Sequence, residues 1–191
     1  MKERIEILAS GFGGQGVVRL GQIIGEAGVK QGLHVSMLKS HGTEMRGGYV
    51  RSQVVISKDV IDSPMCESPD YFIALSSAAY KKFKDTMPGS GVIIYDPAFV
   101  DEIDETLKCS QRSVPAKDLS MKTFNNPLFA NTLILGAFAK LVDVLDKDVM
   151  LESILAIVPK FHEQNRKAFE IGYDYASESI SPKSKIQNKH R

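Results

Sequence analysis

The chain has 191 residues, 43% of them hydrophobic, and its 24 lysines and arginines nearly balance its 23 acidic residues. This composition suits one compact domain, which at that length buries roughly 70% of the surface exposed by the unfolded chain. A net charge near zero gives no general attraction to nucleic acid or to an anionic membrane, so we expect neither as a partner. The chain shows no apolar signal core and no stretch near the roughly 20 apolar residues of a membrane span, so we expect a cytoplasmic protein.

Cysteine and histidine are too few and too scattered to predict a metal site in this chain. Cys66 and Cys109 are far apart, and the four histidines show no metal-ligand spacing with each other. Iron–sulfur clusters are held by sets of cysteine thiolates, so any cluster that serves this protein must lie in another chain.

The first part of the chain predicts a Rossmann-like βαβ unit. We expect a strand at residues 4–10, a helix at 16–31 and a second strand at 33–40. A series of glycines runs along this helix and just past its end, namely Gly21, Gly25, Gly28 and Gly32. Glycine is unfavourable inside a helix, so this series indicates a helix face pressed closely against a sheet or another chain, and we favour packing within the chain.

The rest of the chain continues the alternation of strands and helices and then becomes helical. Further strands are predicted at 49–57, 69–76 and 91–97, with a polar helix at 77–87 and a candidate strand at 111–115. Helices are predicted at 126–145, 146–158 and 162–179, the first of them apolar nearly all round. The predicted fold is a single α/β domain at 1–180, with a mostly parallel sheet flanked by helices and a helical carboxyl-terminal part, followed by a flexible basic tail at 181–191.

The first predicted strand leads into the sequence GFGGQG, which fits the pattern G-x-G-x-x-G with Gly11, Gly13 and Gly16. Free amides at the start of a helix attract anions, and missing side chains let a phosphate approach the backbone. Gly14 and Gln15 complete the candidate site, and Gln15 offers an amide donor for which we see no packing reason. A turn that serves only tight strand-to-helix packing is the alternative.

The end of the second predicted strand reads Lys39, Ser40 and His41. An NAD-binding domain usually places Asp or Glu there to hold the ribose, so the sequence disfavours an NAD site. Lysine and serine suit a phosphorylated ribose instead, which both NADP and coenzyme A possess.

The loop SHGTEMRGG begins at Ser40 and is expected at the same carboxyl edge of the sheet as the glycine turn. The planar guanidinium of Arg46 suits phosphate or carboxylate, which makes it our best single candidate for ligand binding. Glu44 is a second candidate, although an ion pair between Glu44 and Arg46 in a solvated turn is the alternative. The apolar Met45 between them argues against such a turn.

Together, four segments resemble the gamma subunit of 2-oxoacid:ferredoxin (acceptor) oxidoreductases. They are GFGGQG, SHGTEMRGG leading into VRSQVVIS, NPLFANTLILGAF and NRKAFEIGYDYA, and the resemblance extends to near Ser179. It implies a multi-subunit enzyme that oxidatively decarboxylates a 2-oxoacid to an acyl-coenzyme A and passes electrons through iron–sulfur clusters to ferredoxin or a similar acceptor. The methionine in EMRGG resembles the 2-oxoglutarate-type members more than the pyruvate-type members.

The resemblance also implies a division of labour among subunits. Thiamine diphosphate, magnesium and the clusters belong to partner subunits, of the alpha, beta and ferredoxin-like delta types, so this chain is inactive alone and carries no assigned catalytic residue. Its expected contribution is coenzyme A binding, and the candidate residues are Gly11, Gly13, Gly14, Gln15, Gly16, Ser40, Glu44 and Arg46.

Two other interpretations stay open at this point. One is an NADP-dependent dehydrogenase or reductase, although the chain shows no Tyr-x-x-x-Lys pair for hydride chemistry. The other is a purely architectural subunit, with Leu128 to Val144, Tyr173 and Tyr175 as candidates for subunit contact or for ordinary core packing. The sequence does not determine the electron acceptor, the stoichiometry or whether the isolated chain forms a homodimer.

Overall fold

The computed structural model describes residues 3–41 and 49–180. Its strands are β1 (Arg4–Phe12), β2 (His34–His41), β3 (Tyr49–Ser57), β4 (Tyr71–Ala74), β5 (Val92–Tyr95) and β6 (Ser110–Ser113). Its helices are α1 (Val17–Lys30), α2 (Ser77–Phe83), α3 (Ala116–Phe124), α4 (Ala130–Leu141), α5 (Lys147–Ile157) and α6 (His162–Ile180). Short 3-10 turns at Lys84–Thr86 and Pro127–Phe129 follow α2 and precede α4.

The strands form one six-stranded sheet in the order β2-β3-β1-β4-β5-β6. The pairs β1–β4, β4–β5 and β5–β6 are parallel, whereas β3 is antiparallel to both β1 and β2. The segment from β2 to β3 is too short for the crossover that a parallel pair needs, so β3 returns directly beside β2. The predicted α/β fold with a mostly parallel sheet is confirmed, and β3 separates the two strands of the opening βαβ unit.

Apolar side chains cover both faces of this sheet. On one face, Ile7 and Ala9 of β1 belong to a large core that includes α1, α4, α5 and α6. On the other face, Leu8 of β1 belongs to a smaller core with Phe72 of β4 and Tyr80 of α2. The alternation along β1 therefore divides the domain into two layers of helices with the sheet between them.

The glycine series of α1 packs the helix tightly on β2 and β3. A side chain at Gly21 would overlap the hydroxyl of Ser52, and one at Gly28 would lie 2.8 Å from a methyl group of Val35. Gly25 is less crowded, since its added carbon would lie 3.4 Å from Val35. The prediction that α1 packs closely within the chain is confirmed.

Helices α4 and α6 approach each other backbone to backbone at two glycines. A side-chain carbon on Gly136 would overlap the carbonyl oxygen of Phe169, and one on Gly172 would overlap that of Leu133. All of the side chains from Thr132 to Ala139 are buried. The apolar character of this segment is thus explained by packing inside the chain, as the core-packing interpretation expects.

The boundaries of the helices differ from prediction around residue 125. Helix α3 was not predicted, because only Ala116 and Ser120 of its nine residues are buried and its apolar periodicity is weak. The predicted helix at 126–145 begins instead as a 3-10 turn, whose amino end is capped by the Asn126 side chain accepting from Leu128 N at 2.9 Å. It ends four residues early, since Val142 is extended.

No helix within residues 3–41 and 49–180 is long and apolar enough to cross a membrane. In the same ranges, no group of three or more histidine, cysteine, aspartate and glutamate side chains could hold a metal ion.

Candidate functional site

The glycine turn and the connection from β2 to β3 leave the sheet at the same edge. Phe12 at the end of β1 pairs with Tyr49, and His41 at the end of β2 pairs with Val50. The glycine turn and the end of β2, from which the second loop departs, thus share the carboxyl edge of the sheet, as expected. Glu44 and Arg46 lie in the segment 42–48, which is outside the described residues.

The glycine turn reverses the chain between β1 and α1 in four residues. Gly14 and Gly16 have φ values of 88° and 77°, a left-handed conformation that side chains disfavour, so glycine is required at both positions. The amide of Gln15 donates to the carbonyl of Phe12 at 3.2 Å, and the amide of Leu20 donates to the carbonyl of Gly16 at 3.0 Å. The turn is thus a hydrogen-bonded reversal that opens directly into α1.

The Gln15 side chain holds the turn to the end of β4. Its oxygen accepts from the amide of Phe12 at 2.6 Å, and its nitrogen donates to the carbonyl of Leu75 at 2.8 Å. A side chain at Gly11 would meet the Gln15 oxygen at 2.5 Å, so Gly11 is needed to make room for this amide. The expectation that Gln15 has no packing reason is wrong, because its side chain holds the turn to Leu75. Leu75 lies 60 residues away in sequence, so no local pattern reveals this contact.

Gly13 is different, because nothing in the fold requires a glycine there. Its φ is outside the left-handed region, and an added side-chain carbon would meet no atom within 4 Å. The missing side chain therefore leaves open space directly over the backbone of the turn. Such space is what a phosphate needs for close approach to main-chain amides.

The amino-terminal end of α1 also offers backbone hydrogen-bond donors to a ligand. The first amides of a helix, here those of Val17, Val18 and Arg19, have no acceptor in the preceding turn. Gly16 at the cap position supplies no side-chain hydrogen bond, and the first turn contains no acidic residue. The first turn of α1 and its cap residue thus supply no anionic partner for the positive end of the helix dipole.

A cavity of about 910 Å³ lies against this turn and extends between the starts of α4 and α6. Its volume is in the range of small-molecule sites, which is roughly 300–1,000 Å³. The cations Arg19 and Lys160 both line it, and neither forms a salt bridge within residues 3–41 and 49–180. Its remaining lining includes Phe12, Gly13, Gly14, Gln15, Gly16, Asp96, Phe99, Leu128, Asn131, Phe161 and Asn165.

Asp96 is a carboxylate in the cavity lining, and its oxygens accept hydrogen bonds from backbone amides of the same domain. It is buried, and it accepts hydrogen bonds from the amides of Ala98 at 2.9 Å and Lys117 at 2.7 Å. Burial raises the pKa of Asp96 above its ordinary value, and these two hydrogen bonds oppose that rise. Asp96 thus connects the end of β5 to the start of α3, while Arg19 and Lys160 give the cavity its free charges.

Asn131 joins α4 to the glycine turn. Its side-chain nitrogen donates to the carbonyl of Gln15 at 2.7 Å, and it occupies the space beside Gly16. Sequence reasoning missed Asn131, Lys160 and Phe161 as site residues, because they lie more than 110 positions from the turn. The polar Asn131 near the start of a largely apolar helix was an available signal.

Ser40 lies apart from this cavity. Its hydroxyl accepts from the Arg51 side chain at 2.9 Å, and that guanidinium lies over the Phe83 ring of α2. Since Ser40, Arg51 and Ser10 pair across three adjacent strands, they share the α2 face of the sheet. The structure thus gathers Gly13, Gly14, Gln15 and Gly16 around the cavity, buries Gly11 beneath the turn and places Ser40 on the opposite face.

Similar proteins are found across nearly the whole chain. The model of the pyruvate ferredoxin/flavodoxin oxidoreductase family matches residues 6–175. The 2-oxoglutarate synthase subunit KorC of Methanocaldococcus jannaschii is 37% identical over 93% of this chain and 97% of its own length. The protein of the same name from Archaeoglobus fulgidus is 31% identical over 96% of this chain and 94% of its own length.

Solved structures match the fold as well. The gamma subunit of a keto/oxoacid ferredoxin oxidoreductase from Geobacter sulfurreducens PCA has a TM-score of 0.80 at 30% identity and covers 91% of this chain and 99% of its own. A 2-oxoglutarate:ferredoxin oxidoreductase from Magnetococcus marinus, solved with 2-oxoglutarate, coenzyme A and succinyl-CoA bound, has a TM-score of 0.83 at 26% identity and covers 93% of this chain and 32% of its own. The chain therefore belongs to the pyruvate ferredoxin/flavodoxin oxidoreductase family.

Proposed function

We propose that this chain is the gamma subunit of a 2-oxoglutarate:ferredoxin-type oxidoreductase and that it binds coenzyme A through the glycine turn. The complex would oxidatively decarboxylate 2-oxoglutarate to succinyl-coenzyme A and pass the electrons to ferredoxin or a similar acceptor. Similar proteins named 2-oxoglutarate synthase subunits are 31–37% identical to this chain, whereas pyruvate synthase subunits are 26–27% identical. This difference favours 2-oxoglutarate over pyruvate.

The redox chemistry is assigned to partner subunits. The chain has two cysteines, fewer than the four thiolates that typical iron–sulfur clusters use. Burial raises the pKa of Cys66 to about 12, and Cys109 is buried, so neither thiol is disposed to bind metal. We therefore place thiamine diphosphate, magnesium and the clusters in alpha, beta and ferredoxin-like delta chains.

The observation that supports coenzyme A binding most directly is the open space at Gly13. At Gly13 the fold has room for a side chain, and the sequence supplies none. The space lies beside uncapped amides at the start of α1 and beside two cations that form no salt bridge with the described residues. A diphosphate placed over Gly13 would accept from these amides and lie in the field of Arg19 and Lys160. The residues present thus suit the anionic part of coenzyme A.

Within such a complex, the residues of this chain would bind and orient rather than react. The uncapped α1 amides would hold the diphosphate, and the Gln15 and Asn131 hydrogen bonds would keep the turn in shape. Orienting coenzyme A in this way would lower the entropic cost of bringing its thiol to the acyl group on a partner subunit. No proton transfer is assigned to this chain.

Calorimetric titration of the assembled, co-purified complex with coenzyme A tests this proposal. Gly13→Ala is expected to lower the affinity about tenfold or more, because the added methyl takes the space of the phosphate, while the melting temperature holds. Gly89→Ala is the matched control, since its added carbon is also accommodated at 3.4 Å and lies at the opposite edge of the sheet. Unchanged affinity in Gly13→Ala would remove the glycine turn from the site.

Two further measurements address Arg46 and the alternative functions. Arg46→Ala is expected to weaken coenzyme A binding about tenfold, through loss of a charge-assisted hydrogen bond. Unchanged affinity in Arg46→Ala would exclude Arg46 from the coenzyme A site without excluding the glycine turn. Titration of the purified chain with NADP tests the dehydrogenase alternative, which requires that NADP binds. If the chain is purely architectural, the Gly13→Ala and Arg46→Ala complexes should keep both assembly and turnover.

A further inference from the structure

Phe161, at the rim of the cavity, has an unfavourable backbone conformation. Asn125 and Phe161 are the two non-glycine residues with positive φ in the described part of the chain, at 50° and 60°. Asparagine tolerates this left-handed region, whereas a bulky aromatic residue rarely adopts it. The fold therefore carries local strain at Phe161.

A buried hydrogen-bond network enforces this conformation. The side-chain nitrogen of Asn165 donates to the carbonyls of Lys160 at 3.1 Å and Phe161 at 3.0 Å, and its backbone amide donates to Phe161 at 2.9 Å. The Asn165 oxygen accepts from the hydroxyl of Thr132 on α4 at 2.7 Å. Asn165 is 3% exposed, so the network is shielded from water and holds the start of α6 to α4.

The ring at this strained residue is half exposed. Phe161 is 51% exposed, and its ring makes an edge contact with the ring of Phe129, with the two centroids 6.0 Å apart and the rings nearly perpendicular. Strain and lost burial are both unfavourable for folding. Both become understandable if a ligand covers the ring.

The surroundings of the ring indicate the kind of ligand. Phe99 and Leu128, which are 40% and 59% exposed, line the same cavity and leave an apolar surface near the rim. Lys160, next to Phe161, adds a positive charge that forms no salt bridge within residues 3–41 and 49–180. A flat apolar surface beside a cation suits a planar base that carries a phosphate.

We propose that Phe161 is a ligand-binding residue whose ring stacks on the adenine of coenzyme A, with Lys160 beside the ribose phosphate, and that Asn165 is the positioning residue that holds it there. This inference rests on the proposed function, because the diphosphate between the adenosine and the pantetheine arm would lie on the glycine turn. The adenosine end would then extend along the cavity to its rim at α6.

Calorimetry on the assembled complex with coenzyme A and with 4′-phosphopantetheine, which keeps one phosphate of the diphosphate and lacks the adenosine 3′,5′-bisphosphate part, tests the inference. Phe161→Gly is expected to weaken coenzyme A binding about tenfold by removing base stacking, and to leave 4′-phosphopantetheine binding unchanged. Its melting temperature is expected to hold within about 2 °C or to rise, since glycine relieves the strain. Phe161→Tyr keeps a ring and is expected to keep the affinity.

Asn125→Gly is the matched control, because it relieves the other left-handed residue, which is not part of the cavity lining. It should leave both affinities unchanged. The inference would be overturned if Phe161→Gly lowered the affinity for both ligands equally, lowered neither affinity, or released a partner subunit from the complex. Gly13→Ala in the same series separates the two claims: if it leaves coenzyme A binding unchanged the proposed function fails, and if it alone weakens binding the role of Phe161 fails.

Discussion

Replacing Gly172 with alanine tests the backbone-to-backbone packing of α4 against α6. The added carbon would overlap the carbonyl oxygen of Leu133 and lie 2.7 Å from its carbonyl carbon. Both are main-chain atoms inside a buried helix, so no side-chain rotation can relieve the contact. Moving that carbon to an ordinary distance of 3.4 Å requires the two helices to separate by at least about 0.7 Å.

The expected cost of this separation is worked from two opposing effects. Overpacking a core costs typically 1–3 kcal/mol, and a clash with backbone lies at the upper end of about 3 kcal/mol. Alanine has a higher helix propensity than glycine, which stabilises the folded state by about 1 kcal/mol. The net loss in the free energy of unfolding is therefore about 2 kcal/mol. For a chain of this size that corresponds to a fall of roughly 4–8 °C in melting temperature.

Urea unfolding followed by circular dichroism measures this difference, with Gly25→Ala as the control. Gly25 also lies inside a helix, but its added carbon would lie at an acceptable 3.4 Å from Val35, so this variant is expected to be neutral or up to about 1 kcal/mol more stable. Equal stability of Gly172→Ala and Gly25→Ala would refute the close approach of α4 and α6.

Three further effects on stability are also expected. Gln15→Ala leaves the Phe12 amide and the Leu75 carbonyl without their partner and should cost about 1–3 kcal/mol in urea unfolding. Asp146→Ala removes the cap that accepts from the first amides of α5 and should cost about 1 kcal/mol, whereas Glu152→Ala on the same helix should cost little. Burial raises the pKa of Cys66 from its ordinary 9.0 to about 12, so in that window the unfolded thiol ionises while the folded one stays protonated. The free energy of unfolding therefore falls as the pH rises. Between about pH 8 and pH 10, it should fall by about 1 kcal/mol less in Cys66→Ser than in wild type.

The elements with strong apolar patterns were predictable from sequence, and their neighbours in the sheet were not. Strand β3 was expected at the right residues, but its place between β1 and β2 depends on a short connection whose path no periodicity reveals. Helix α3 was missed because it buries few residues. Local patterns thus identified the elements, while pairing depended on contacts between distant segments.

The candidate site divides in the same way. The glycine turn was recognisable because strand, glycines and helix are consecutive in sequence. Ser40 was grouped with the turn because both lie at the carboxyl edge, but the alternation of side chains along β2 directs it to the other face. Asn131 and Phe161 reach the turn only through the packing of α4 and α6, so no spacing could reveal them.

The most direct test of the account is a structure of the assembled complex with coenzyme A bound. We expect the diphosphate within hydrogen-bonding distance of the uncapped amides of Val17, Val18 and Arg19, with the methylene of Gly13 facing it. A diphosphate bound wholly by another subunit, with the glycine turn covered by protein side chains, would contradict the account.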